Sequence, residues 1–257
     1  MKQAIRALSV ATTALWILIV LFSVTSIYSA LKLGFGFERT EVSASDDVLT
    51  VSMSFFVDNG GFYDISNLNV TTDLNNHDGT LISNSTTLVP LISRGSRVER
   101  AHNISISMDD IVTGDLTDLL FQDSVLDIAM YVSLKYAHAI PLQLSFNTTI
   151  PWGAPLANLS IGEITTIDID PAHLQKTVPI SFENHSFFAL NGTVRLELVD
   201  RDQSVGAGTV NISVPPMTPC STQVEVVVRR NAAVPTKARI YFETAAFSFG
   251  PVVMPLG

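Results

Sequence analysis

Cysteine is almost missing from this chain. Cys220 stands alone among 257 residues, so no intrachain disulfide can form, and stability has to come from packing although an exported domain is free to use disulfides. Basic charge is scarce as well. Fifteen lysines and arginines against 24 aspartates and glutamates leave a formal net charge of −9. That balance removes the basic stripe that nucleic-acid binding needs and disfavours contact with anionic lipid headgroups. Long helical patterns are rare beyond the first 31 residues, where Ser, Thr, Val and Ile dominate, as antiparallel sheets require.

Catalytic signatures are absent too. His77, His102, His138, His173 and His185 never stand at i, i+4 beside a glutamate, so there is no zincin motif, and the five are expected on the surface or in turns. Cys220 has no local histidine partner and reads as a packed thiol. There is no G-x-S-x-G elbow. Gly34-x-Gly36 and Gly206-x-Gly208 precede strand-like residues rather than a phosphate-binding helix, and they read as bulges or turns. Asp168-Ile169-Asp170 and Asp200-Arg201-Asp202 set paired carboxylates on one side of an extended segment, a pattern that suits calcium. Neither continues into a complete calcium loop, so solvated turns are expected. No catalytic, cofactor-binding or metal-ligating residue is assigned, and no cofactor is expected.

What the chain does have begins with Ala7 to Leu31, 25 positions without a charged side chain around LWILIVLF. A bilayer span needs about 20 apolar residues, whereas a secretory signal core has about 7 to 15. Lys2 and Arg6 precede the run. Residues 1–6 are therefore expected in the cytoplasm, 7–31 as a single-pass signal anchor in the cell membrane, and the rest outside. The rival, a cleaved signal peptide, has poor sites: cutting after Ala30 puts Tyr28 at the third position back, and cutting after Ser29 puts Ile27 there. Eight Asn-x-Ser/Thr sequons follow, at Asn69, Asn84, Asn103, Asn147, Asn158, Asn184, Asn191 and Asn211. Chance placement gives about two or three. All lie on the external side as candidate glycosylation sites. Many sequons without a disulfide scaffold suit an archaeal cell surface better than a eukaryotic ectodomain.

Sliding the chain against itself by about 125 residues reveals two copies. LGFGFERT from Leu33 falls on LSIGEITT from Leu159, and SFFVDNGGFYDI falls on PISFENHSFFAL, pairing Asn59 with Asn184, Phe62 with Phe187 and Ile65 with Leu190. The seam is Pro151-Trp152-Gly153-Ala154-Pro155, which cannot extend a strand. Leu49, Val51, Met53 and Phe55 alternate with polar residues as a strand with one buried face does. Asp78-Gly79 marks a tight hairpin. Copy one also predicts one short helix over MDDIVTGDLTDLLF, capped by Ser107. Copy two lacks it. The fold class is all-β: two tandem immunoglobulin- or fibronectin-like sandwiches, over 34–155 and 156–257, behind one N-terminal transmembrane helix.

Within Val48 to Ile150, the order V-S-M-S-F-F-V-D-N, Y-D-I-S-N-L-N-V, N-H-D-G-T-L-I and I-S-R-G-S before a strand and helix resembles the group 2 late embryogenesis abundant fold, or WHy domain. Asn59-Gly60-Gly61 stands where that family usually carries Asn-Pro-Asn. The resemblance implies a seven-stranded sandwich, often behind a single membrane helix, with roles in stress protection and, for some tandem members, lipid handling. It implies no catalytic residues. The expected function is a non-enzymatic, membrane-anchored extracytoplasmic module for envelope structure, adhesion or stress protection, partnered by the membrane through its helix and by envelope proteins or lipid, not nucleic acid. One alternative is binding or transfer of lipid or another hydrophobic ligand, suggested by that resemblance and by Phe55-Phe56, Phe187-Phe188 and Phe247-x-Phe249, which otherwise read as ordinary core. Another is an enzyme with an unrecognised site.

Overall fold

The computed structural model describes residues 2–45 and 47–256. Helix α1 (Lys2–Ala30) contains one stretch long and apolar enough to cross a membrane, Arg6–Ala30, with mean hydropathy 2.3 and no part of its most apolar window covered by protein. Thr12, Thr13, Ser23 and Thr25 each donate a hydroxyl to the carbonyl four residues earlier, at 2.8 to 2.9 Å. Those polar groups are thereby satisfied within the helix, as an apolar medium demands.

The next seven strands are β1 (Leu33–Ser45), β2 (Val48–Asn59), β3 (Ile65–Asn76), β4 (Leu81–Ile92), β5 (Arg97–Ser107), β6 (Ser124–Tyr136) and β7 (Ile140–Trp152). They form a three-stranded sheet, β1-β2-β5, and a four-stranded sheet, β4-β3-β6-β7, every pairing antiparallel. Eight more follow: β8 (Ala157–Ile161), β9 (Thr165–Asp168), β10 (His173–Asn184), β11 (Leu190–Asp200), β12 (Gln203–Val214), β13 (Thr218–Arg229), β14 (Lys237–Thr244) and β15 (Ser248–Pro255). β8 and β9 share one edge of β10, giving the sheets β13-β10-β8 and β12-β11-β14-β15. The two strand sets have the same order of neighbours, and among the described residues no strand pairs from one set to the other. The all-β sandwich fold expected from the sequence is the fold observed.

The element that differs between the sets is helix α2 (Met108–Thr113), continued after Gly114 by a 3-10 turn at Thr117–Leu120. Ser107 Oγ caps α2 by accepting from Asp110 N at 3.3 Å. Met108, Ile111, Leu119 and Leu120 turn fully inward. They join a core that runs from the distal half of the first sandwich, through Trp152 and Leu156, into the second. A separate core of Phe55, Ile65, Leu68, Val70, Ile92 and Tyr136, among others, fills the end of the first sandwich nearest α1.

One buried asparagine organises the same loop in each sandwich. Asn59 and Asn184 are both fully buried. Asn59 Nδ2 donates to Tyr63 O at 2.9 Å and Ile92 O at 3.1 Å, while its Oδ1 accepts from Gly61 N. Asn184 Nδ2 donates to Phe188 O at 2.9 Å and Pro215 O at 3.0 Å, while its Oδ1 accepts from Ser186 N and Oγ. Each amide therefore ties the turn after β2 or β10 to the far end of the facing sheet, supplying partners that the buried turn lacks. Ile65 and Leu190, both wholly buried, open the strands that follow.

Candidate functional site

Three features of the surface carry functional information: the junction between α1 and the first sandwich, the seam between the sandwiches, and an uncovered apolar mouth.

The junction is built around Ser29, which is wholly buried. Its hydroxyl meets the Tyr136 hydroxyl and accepts from Phe62 N at 2.5 Å. One turn earlier, Thr25 Oγ1 lies 2.7 Å from Tyr63 OH, and the Phe22 ring meets Tyr63 edge-on at 5.6 Å. Tyr28 stacks on Phe62 at 5.9 Å, and Lys32 Nζ lies 5.0 and 5.1 Å from those two rings. Gly60-Gly61 permits this approach, because a Cβ on Gly61 would lie 2.5 Å from Ser29 Oγ and one on Gly60 2.9 Å from Lys32 O.

At the seam Trp152 Nε1 donates to Leu119 O at 2.8 Å, and its ring packs on Phe187 and Phe188 at 5.8 and 6.4 Å. Leu156 N donates to Leu120 O, and His185 N to Ala154 O. Beside them His185 bridges two carboxylates, with Nε2 2.7 Å from Glu183 and Nδ1 2.8 Å from Asp123. Glu183 first and Asp123 second push the imidazole above its usual range. The linkage this lends is full below the ordinary histidine range and fades as pH rises through the raised value. Because the carboxylates engage opposite ring nitrogens they do not converge on one ion, and among the described residues no cluster of three or more His, Cys, Asp or Glu is placed to hold a metal.

The sequence-assigned candidates scatter. Asn84, Asn103, Asn147, Asn158, Asn191 and Asn211 are exposed, and Asn69 is half-buried. Asn184 is a correction: with no exposure and an amide nitrogen occupied by backbone carbonyls, it has no room for a glycan. Asp168 pairs with Arg230 at 2.9 Å, Asp170 accepts from the amides of Ala172 and His173, and Asp202 pairs with Arg239. Asp170 builds a turn, and the other two form surface ion pairs. Phe187, Phe188 and Phe247 belong to the seam and the second core.

His102 is a second correction, since it lies in the interior rather than on the surface. It is 1% exposed, held between Thr87 Oγ1 at Nδ1 and Thr72 Oγ1 at Nε2, both at 2.9 Å. Burial pushes its imidazole below the usual range, so the stability of the neutral ring is full above that range and is lost as pH falls through the lowered value. Replacing His102 with asparagine is expected to lower stability near neutrality and to flatten the acid-side fall, read from urea midpoints at about pH 7 and about pH 5. An unchanged slope would place the acid sensitivity elsewhere.

The apolar mouth lies between edge strands β1 and β7. Register puts Phe35 opposite buried Val57 and Phe37 opposite buried Phe55, so both rings point between the sheets. Across the gap Leu142, Leu144 and Phe146 stand opposite Leu134, Val132 and Met130, again on the inner face. Yet Phe35, Phe37 and Leu144 are 51, 61 and 66% exposed. In the second sandwich the matching edge, β15, has Phe249, Val252 and Met254 packed on the core, with Phe249 against Phe121 at 5.7 Å. Sequence reasoning missed both the mouth and the seam cluster. Three apolar residues at alternate positions of LQLSF signalled a buried face, but only the partner sheet shows that the face is left uncovered.

No family model matches the chain, and no curated protein matches it. Among solved structures it is similar to red sea bream transglutaminase (15% identity, TM-score 0.31, 88% of this chain and 31% of that one). It is also similar to the periplasmic chaperone SfaE (12%, TM-score 0.29, 86% of this chain and 98% of that one). A third is a bacterial adhesin from Mobiluncus mulieris with intramolecular disulfide, isopeptide and ester cross-links (8%, TM-score 0.31, 83% of this chain and 80% of that one). The chain spans about a third of the transglutaminase. At these TM-scores none of the likenesses bears on function.

Proposed function

We propose that the chain is a non-enzymatic, membrane-anchored surface protein in which α1 is retained in the bilayer and two fused sandwiches project outside, serving envelope structure, adhesion or stress protection. The observation that carries this reading is the Ser29 junction. Cleavage after Ser29 or Ala30 would strip from the first sandwich the hydroxyls of Ser29 and Thr25 that meet Tyr136 and Tyr63. A leader destined for removal has no reason to be built into the fold it leaves. The resemblance to the WHy domain supports the same reading, as does the continuous core, which holds the two sandwiches as one projecting unit.

Six exposed sequons fit an external address, and glycans are expected at Asn84, Asn103, Asn147, Asn158, Asn191 and Asn211, with Asn184 bare; glycopeptide mapping checks each. Orientation is tested by placing one cysteine at exposed Asn231 in a Cys220→Ser background and treating intact cells with a membrane-impermeant maleimide. Labelling without lysis, on protein that stays with membranes through an alkaline wash, supports the reading. Labelling only after lysis overturns it. An envelope role further requires that deletion weaken cells under osmotic or heat stress.

A further inference from the structure

We propose that the outer face of the sheet β4-β3-β6-β7 binds a neutral sugar, an inference that rests on the sandwiches lying outside and gives their adhesive role a ligand class. In β3 the inward residues Leu68, Val70 and Thr72 are buried, so Asn69 and Thr71 between them face outward. Register then sets Ser133 and Gln143 in one row with Asn69, and Tyr131 and Ser145 in the next row with Thr71. These six supply the polar and aromatic lining of a shallow cleft of about 480 Å³. Small-molecule sites usually measure about 300–1,000 Å³. No residue lining the cleft is charged, which disfavours phosphates and acidic polymers. Amides and hydroxyls around one exposed ring instead match a pyranose, whose C–H face lies on an aromatic ring while its rim of hydroxyls both donates and accepts.

The second sandwich shows how a tyrosine at this place is otherwise covered. Tyr241 of β14 stands opposite Arg195 of β11, as Tyr131 of β6 stands opposite Thr71 of β3. Arg195 caps the Tyr241 ring, with Cζ 3.9 Å from its centroid, and the Tyr241 hydroxyl donates to Glu197 at 3.3 Å. Thr71 is too short to cap a ring and shares its hydroxyl with Thr86 at 3.2 Å. Tyr131 therefore stays 47% exposed, and among the described residues no cation or second ring packs on it. In the same cleft Asn69 Oδ1 is enclosed and, among the described residues, meets no donor. A ligand hydroxyl supplies one when the amide turns outward. Sugar is also at hand. The row beyond Thr71 and Tyr131 runs Asn84, Asp73, Ala129 and Asn147, so two sequons flank the cleft. The occupant is either the glycan of this chain or a neutral saccharide on another envelope molecule.

The test titrates mannotriose, cellotriose and chitotriose against the full chain in phosphatidylcholine nanodiscs, with Asn84→Gln and Asn147→Gln in place, and follows binding by saturation-transfer NMR. At least one trisaccharide is expected to bind. Tyr131→Ala is expected to weaken it about tenfold and Gln143→Ala about fivefold, whereas Tyr131→Phe, which keeps the ring, and Tyr241→Ala, in the other sandwich, should bind as the parent does. The natively glycosylated chain then separates the sources. Binding blocked there and restored by Asn147→Gln or Asn84→Gln means that the glycan of the chain fills the cleft; equal binding in both forms means an external saccharide. Binding that survives Tyr131→Ala, no binding of any of the three, or a glycan found on Asn69 inside the cleft overturns the proposal. None of those results touches the maleimide labelling at Asn231, so the anchored reading stands or falls separately.

Discussion

Replacing Trp152 with alanine is expected to destabilise the protein by about 3–5 kcal/mol and to separate the unfolding of the two sandwiches. The side chain is 1% exposed, its ring touches Phe187 and Phe188 of the second sandwich, and its Nε1 donates to Leu119 O of the first. Removing it opens a cavity where the shared core passes from one sandwich into the other. It also orphans a buried carbonyl, which adds to the loss. Collapse to fill the space is restricted, because a Cβ on neighbouring Gly153 would already lie 1.8 Å from His185 O. Trp152→Phe keeps most of the apolar contact and loses the hydrogen bond, so its cost should be about 1–2 kcal/mol. Chemical denaturation followed by circular dichroism distinguishes the outcomes. Wild type should unfold in one transition and Trp152→Ala in two. A single unshifted transition would mean that the seam contributes nothing to cohesion.

The second large effect is expected at Asn184. Its amide meets the carbonyls of Phe188 and Pro215 and the amide and hydroxyl of Ser186, with Asn184 and Ser186 themselves wholly buried. Alanine leaves the Ser186 amide unpaired at about 1–3 kcal/mol, while Phe188 O and Pro215 O keep the Ser186 and Thr218 hydroxyls as donors. Aspartate, nearly the same shape, should be worse near neutrality, because it turns a carboxylate oxygen toward two carbonyl oxygens where the amide had donors. Acidification that protonates the carboxyl should then recover part of the loss, giving Asn184→Asp a pH dependence that Asn184→Ala lacks. Asn59 makes the matching contacts in the first sandwich. Asn59→Ala should in addition loosen the Gly60-to-Tyr63 loop on which α1 docks, so it should raise proteolysis near Lys32 where Asn184→Ala does not. Equal stability of Asn184→Asp and Asn184→Ala at all pH values would refute the buried donor role.

These asparagines also show what the sequence could and could not reveal. Asn59 and Asn184 were matched by sliding the chain on itself, and Leu49 to Phe55 marked a half-buried strand by alternation, because both signals are local patterns. The same residue type misled when read by the sequon rule. Asn184-His185-Ser186 satisfies the glycosylation pattern, but burial is decided by β12 ending at Val214, thirty residues away. The bridge from Asp123 to His185 joins positions 62 apart with no shared motif, and His102 reads as polar although its neighbours on β5, Ile104 and Ile106, are core. The alternation of β1 is interrupted by Glu38 to Glu41 and a register shift, which hides its inner face in the sequence. Pro90 and a Ser/Thr run mask the strand pattern of β4. The open mouth was the least legible, since an inward strand face looks the same in sequence whether or not a partner covers it.

The most direct test of the anchored reading is intact-mass and peptide analysis of the chain extracted from its own membrane. A retained anchor predicts peptides spanning residues 7–31 joined to Leu33 and beyond, with glycan mass on the exposed sequons and none on Asn184. A mature chain that begins just after Ser29 or Ala30 would contradict it, because the Ser29 contact to Tyr136 would then have no part in the working protein.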